Sequence, residues 1–134
     1  MINHKLVEEF HKTFGSPMNQ DVRTSSTSLD LLRVDMLKEE VNELSDELAL
    51  CDTVEVLDAI VDIIYLAIGT AVTYGLQDCL PAAFNEVHRS NMSKLDENGK
   101  PIYNDAGKVM KSNLYTPPNL AQFIEGKDEN REPK

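Results

Sequence analysis

The 134-residue chain has a formal charge of −10, which argues against a partner held through its phosphate backbone, since such affinity comes largely from clustered Lys and Arg. With 41% hydrophobic residues it is long enough for one core, so a single domain over residues 1–125 and a disordered tail at 126–134 are expected. Two cysteines, Cys51 and Cys79, lack C-x-x-C spacing and indicate neither zinc nor a disulfide framework, and the charged start MINHKLVEEF lacks a signal peptide's apolar stretch.

In chain order, residues 3–14 read as a short amphipathic helix, with Leu6, Val7, Phe10 and Phe14 on one side and Gly15 ending it. The polar stretch 15–28 reads as a loop. A second helix is predicted from about Leu29 to Ala49, with Leu32, Met36, Leu37, Val41, Leu44 and Leu48 on its apolar face. Thr53 is the expected N-cap of a third helix that reaches Tyr74 and stops at Gly75. This helix is apolar nearly all round, more than one small domain can cover, so a second copy of the chain is expected against it. A membrane span is disfavoured by Glu55, Asp58 and Asp62, because a central Asp costs ~2.5–3.5 kcal/mol on insertion. Burial as a core helix is expected instead.

Asp78 is the expected cap of a fourth helix, with Pro81 in its first turn and Leu80, Phe84 and Val87 facing the core. Beyond Leu95, Asp96-Glu-Asn-Gly99 and Asn104-Asp-Ala-Gly107 are turn signals flanking short segments around Ile102 and Val109. They predict an irregular or hairpin-like appendage. Tyr115-Thr-Pro-Pro118 breaks structure again, and Leu120 to Ile124 is expected to form one helical turn. The predicted class is all-α: an oligomeric helical bundle of about four main helices carrying this appendage.

The chemistry is concentrated in two carboxylate stripes. Glu39, Glu40 and Glu43 form E-E-x-x-E and fall within roughly a 100° arc of the second helix; Glu55, Asp58 and Asp62 fall within roughly 60° of the third. Taken alone, E-E-x-x-E reads as a solvated helix face. The second stripe changes that reading, because Asp58 and Asp62 lie among Ile60, Val61, Ile63 and Ile64, where a purely structural helix has little use for charge. Facing stripes repel unless a positive charge sits between them. An all-oxygen ligand set suits Mg²⁺, Mn²⁺ or Ca²⁺ rather than Zn²⁺.

The segment Glu86-Val-His-Arg-Ser-Asn-Met-Ser-Lys94 ends the fourth helix with polar residues at helical spacing. Asn91 and Lys94 are one turn apart and could direct a donor and a cation at phosphate oxygens, or form a solvated helix end. Arg33 reads as a phosphate contact or as an ion-pair partner of a nearby carboxylate. His88 reads as packing or surface. Lys100, Lys108 and Lys111 either close over a polyanion or only solubilise the appendage.

The order R-x-x-x-x-x-E-E-x-x-E, then E-x-x-D-x-x-x-D-I-I-Y-L-x-x-G-T-A, then E-V-H-R-S-N-M-S-K resembles the short MazG-like, all-α nucleoside triphosphate pyrophosphohydrolases, particularly the phosphoribosyl-ATP pyrophosphohydrolase-like type of phages and bacteria. The likeness runs from about Arg33 to Pro118. It implies a homodimer or homotetramer in the cytoplasm, that of the host if the chain is phage-encoded. It also implies Mg²⁺-dependent cleavage of a (d)NTP to (d)NMP and pyrophosphate for pool cleansing or adjustment. By residue, it implies Glu40, Glu43 and Asp62 as metal ligands, Glu39 as a further ligand or the group orienting water, and Asn91 and Lys94, with Arg33 or an appendage lysine such as Lys108, as nucleotide contacts. The sequence departs from the pattern at Ala59, where many relatives carry Glu. Asp58, adjacent in angle, or Glu55, longer and on the same stripe, is expected to substitute, with Asp58 favoured by direction and placed among the ligands.

A di-iron carboxylate bundle would want Glu-x-x-His on two helices, a pattern this chain does not carry. The alternative in another class is a non-enzymatic helical dimer that binds metal and nucleotide for regulation, sharing every ligand and lacking only water activation.

Overall fold

A computed structural model describes residues 2–124; the expected tail lies outside them. The chain divides into two compact units, Met1–Asp78 and Cys79–Lys134.

The first unit holds three helices. In α1, His4–Phe14, Asn3 accepts from the Lys5 amide and Gly15 ends the helix at φ 69°. Buried His11 places Nδ1 3.1 Å from the Pro17 carbonyl oxygen, so the one Glu-x-x-His pair of the helix, Glu8 and His11, has its histidine engaged in the loop. That loop docks through its backbone, with the Asn19 and Gln20 amides donating to the Val72 and Thr73 carbonyls at 3.1 and 2.7 Å. Helix α2, Thr27–Leu50, is capped by Ser26, whose hydroxyl accepts from the Leu29 amide. It ends on Cys51, a non-glycine residue at φ 57°.

Helix α3 follows at once, Thr53–Thr73, and its N-cap is Asp52 rather than the expected Thr53. The Asp52 carboxylate accepts from both the Val54 and Glu55 amides, which a threonine hydroxyl one residue later is not placed to do. A two-residue link makes α2 and α3 antiparallel neighbours. The core is small: Val7, Ala59, Ile68, Ala71 and Val72 are buried, and Phe10 meets the Tyr65 ring edge-on at 5.8 Å.

Helix α3 is long and apolar enough to cross a membrane, and within this one chain Val54, Leu57 and Val61 are 72%, 61% and 50% exposed, on the helix expected to meet a second copy. The cap expected at Asp78 is corrected. Asp78 caps nothing; its carboxylate lies 3.6 Å from His4 Nε2.

In the second unit, α4 spans Leu80–Met92, with Cys79 as N-cap and Pro81 in the first turn as expected. Phe84 and Val87, expected in the core, are exposed. The hairpin-like appendage is a short antiparallel pair, β1 (Ile102–Tyr103) and β2 (Val109–Met110), with Ile102 opposite Met110. Its turns are organised by side chains: Asp96 Oδ1 accepts from the Asn98 and Lys100 amides, and Asn104 Oδ1 from those of Ala106 and Lys108. Residues 112–119 then strap onto one side of α4. Ser90 Oγ donates to the Thr116 carbonyl at 2.8 Å, and Arg89 bridges Glu86, Thr116 and the Pro117 carbonyl. A single 3-10 turn, Ala121–Phe123, follows. The observed architecture is four helices with a small two-stranded hairpin.

Candidate metal centre

The α2–α3 pair carries a seven-residue repeat on both strands of the hairpin. Arg33, Glu40 and Glu47 are seven apart on α2; Glu55, Asp62 and Gly69 are seven apart on α3. Such a spacing keeps side chains on one seam along paired helices. Run antiparallel, it sets Glu47 against Glu55, Glu40 against Asp62 and Arg33 against Gly69, and each pairing is seen in the interactions described next. This seam, polar where a structural hairpin would be apolar, holds the candidate site.

Glu40 occupies its middle. The side chain is half-buried, and Oε2 is shielded from solvent without a hydrogen-bond partner. Its pKa is raised above the ordinary carboxylate value, first by loss of solvent, then by the charges of Asp62 and Glu43, with a hydrogen bond shared with Glu43 adding to both. One turn on, carboxylate oxygens of Glu43, Glu47 and Glu55 all lie within 4.8 Å of one another. Glu47 is likewise raised, by desolvation and then by the Glu55 charge. Among the described residues the ion pairs are His4 with Glu8 and Asp78, Arg23 with Asp21, and Arg89 with Glu86; none reaches this seam.

These residues fit a hard divalent cation. The donors are all carboxylate oxygens, one of them buried and orphaned, and the group is short of positive charge. Glu40, Glu43 and Asp62, expected as ligands, fall in one electrostatic cluster. Glu39 and Asp58 are exposed. Of the two residues weighed as substitutes at Ala59, Glu55 lies with Glu43 and Glu47. Glu55 and Asp58 are both exposed, and Glu55 is the one whose carboxylate comes within 4.8 Å of those of Glu43 and Glu47. Glu47 escaped the sequence reading. Its signal was the extension of E-E-x-x-E by another i+4 glutamate.

Arg33 also differs from expectation. It is 8% exposed, Nη2 donates to the Leu66 carbonyl at 2.9 Å, and Nε donates to Thr70 Oγ1 at 3.2 Å. Burial lowers its pKa. The guanidinium is a brace inside the helix pair rather than a phosphate contact or a carboxylate's partner. Nearby, Tyr74 donates its phenolic proton to Asp30, which raises the tyrosine's pKa, and Ser25 donates to the same carboxylate.

In the second unit, Asn91 and Lys94 line a cleft of about 380 Å³ with Met92, Leu95, Pro101 and Val109. They occupy the side of α4 left free by the strap, which takes Glu86, Arg89, Ser90 and Ser93. Lys108 is exposed on the hairpin and His88 on α4.

The helix pair and its carboxylate seam place the chain among helical proteins with an acid-lined antiparallel hairpin. Residues 7–91 match the family described as phosphoribosyl-ATP pyrophosphohydrolase, and the chain belongs to that family. The chain is also similar to an uncharacterized protein of Acanthamoeba polyphaga mimivirus, 30% identical over 118 residues that cover 85% of this chain and 43% of that protein. The chain thus spans less than half the length of this relative. Family membership points to a nucleotide pyrophosphohydrolase activity, and the family is typically metal-dependent.

Proposed function

We propose that the protein is a Mg²⁺-dependent nucleoside triphosphate pyrophosphohydrolase that cleaves a (d)NTP to (d)NMP and pyrophosphate, serving nucleotide-pool cleansing or adjustment. The observation that carries this reading is the orphaned, desolvated Glu40 oxygen in a seam of carboxylates without a counter-charge. Glu40, Glu43 and Asp62 would hold the cation, with Glu55 and Glu47 extending the carboxylate seam one turn away. A bound Mg²⁺ supplies neutralisation of the triphosphate and a lower pKa for a water directed at the α-phosphorus.

The chain's own groups do the rest. Glu39, exposed on α2 beside Glu40, accepts the attacking water's proton on a carboxylate oxygen. Asn91 and Lys94, in the second unit, are the candidate nucleotide contacts, and the Lys94 ammonium, with Lys108, would offset negative charge on phosphate oxygens. Arg33 directs Nε and Nη2 into the helix pair, to Thr70 and Leu66.

The test is a panel of canonical and modified dNTPs and NTPs, with phosphoribosyl-ATP alongside, read as pyrophosphate released in the presence of Mg²⁺. Release from at least one nucleoside triphosphate, abolished by chelation, is expected. Stabilisation by Mg²⁺ with no release from any member would leave a binding protein and sink the enzymatic reading.

A further inference from the structure

The guanidinium of Arg33 crosses from α2 to α3 at a point where α3 has no side chain. A Cβ added at Gly69 would lie 2.6 Å from Arg33 Nη2 and 3.1 Å from His11 Nε2, so three helices converge on this glycine. Among the described residues of the first unit, the buried polar side chains are His11, Arg33, Thr73 and Gln77, and of these Arg33 carries a permanent charge. Burying a guanidinium carries a desolvation cost that a merely packed helix pair would avoid with a leucine.

That cost is offset by direction. Nη2 donates to the Leu66 carbonyl and Nε to Thr70 Oγ1, while Thr70 Oγ1 itself donates to Leu66 O at 2.9 Å. The two donors form a planar fork on a pair of adjacent acceptors, 2.9 Å apart on one turn of α3, so the guanidinium keeps both hydrogen bonds only while that turn of α3 stays opposite Arg33. Apolar contacts are non-directional and tolerate a slip of one helix past the other. Arg33 lies seven residues before Glu40 and Gly69 seven after Asp62, two turns along the same seam. A slip of one residue would move each helix's carboxylates about 1.5 Å along the axis and about 100° around it, separating Glu40 from Asp62.

We infer that Arg33, seated on Gly69, is a positioning residue that fixes the register of α2 on α3 and thereby sets the carboxylate geometry of the metal centre. This deepens the functional reading above and rests on it for the identity of the ligands. Arg33 touches neither the cation nor the substrate in this role.

The test uses full-length wild type, Arg33→Met, Arg33→Lys, Gly69→Ala and the double variant Arg33→Met/Gly69→Ala. Mn²⁺ half-saturation is measured by electron paramagnetic resonance well below each melting point, with helicity by circular dichroism. Arg33→Met and Gly69→Ala should each remain helical yet raise the half-saturation concentration by ~10–100-fold, the usual effect of losing a group that orients ligands. Arg33→Lys, which keeps one donor, should recover part of the loss. The double variant should be no worse than Arg33→Met alone, because the added methyl then meets no guanidinium. Should Arg33→Met fail to fold, Arg33→Lys and Gly69→Ala carry the same comparison. Unchanged Mn²⁺ half-saturation in folded variants with only a lower melting temperature would reduce Arg33 to a structural brace and overturn the inference. Additive losses in the double variant would overturn it as well. Wild type that binds Mn²⁺ without hydrolysing any triphosphate would sink the proposed activity and leave the positioning role standing.

Discussion

Glu43 adds its charge to the setting of Glu40 on one side and lies with Glu47 and Glu55 on the other, so it joins the two layers of the acidic seam. Glu43→Gln removes its charge at constant volume. Without metal the variant should melt at or above the wild-type temperature, because repulsion is relieved; its gain on adding Mg²⁺ should shrink, and turnover should fall by ~100-fold or more. Thermal melts with and without Mg²⁺, beside a pyrophosphate assay, check both halves, and near-wild-type turnover would remove Glu43 from the centre. Glu86 has the opposite electrostatic setting. Two hydrogen bonds from Arg89 and one from the Asn119 amide, each 2.9 Å, hold its pKa down to about 2. A depressed folded value means the carboxylate stabilises the fold above the ordinary carboxylate range and loses that contribution as pH falls toward about 2. Metal-free Glu86→Gln should therefore show a flatter acid limb of melting temperature against pH than wild type. Parallel limbs would mean the strap contributes nothing there.

At the scale of elements, the hairpin of α2 and α3 decides which carboxylates meet. Glu55→Gln should cost activity by at least about tenfold and Asp58→Asn much less, since the Glu55 carboxylate lies within 4.8 Å of those of Glu43 and Glu47. A larger effect from Asp58→Asn, in Mg²⁺-saturated kinetics, would mean that the residue beside Ala59 substitutes for the relatives' glutamate after all. The link between the helices is equally specific. Asp52 caps two amides at 3.1 and 3.2 Å, and Asp52→Ala should lower stability by about 1 kcal/mol in denaturant unfolding, whereas Thr53→Ala should be nearly silent. Both residues are good cap types one position apart, so only the backbone at the turn discriminates between them.

For the molecule as a whole, the exposed flank of α3 has the strongest consequence. Leu57 and Val61 lie one turn apart on it, and leaving them in water forgoes roughly 25 cal/mol per Å² of apolar area that a second copy could cover. Leu57→Glu should convert an oligomer to monomers, seen by light scattering across a dilution series. A wild type that is already monomeric and fully active would end the argument for a second copy. Much of this protein was legible in the residues alone, because helical periodicity and the E-E-x-x-E stripe are local: four helices, their approximate ends, the hairpin turns and the two acidic faces follow from spacing within one turn or two. What tertiary structure decided lies between elements distant in the chain. That Arg33 is buried depends on a missing side chain at Gly69; that Glu47 and Glu55 join the seam depends on the register of α2 on α3; and that Phe84 stays exposed depends on what does not pack on α4. Each of these is set by the fit of side chains across a gap, and a period read along one helix carries no information about its phase against another.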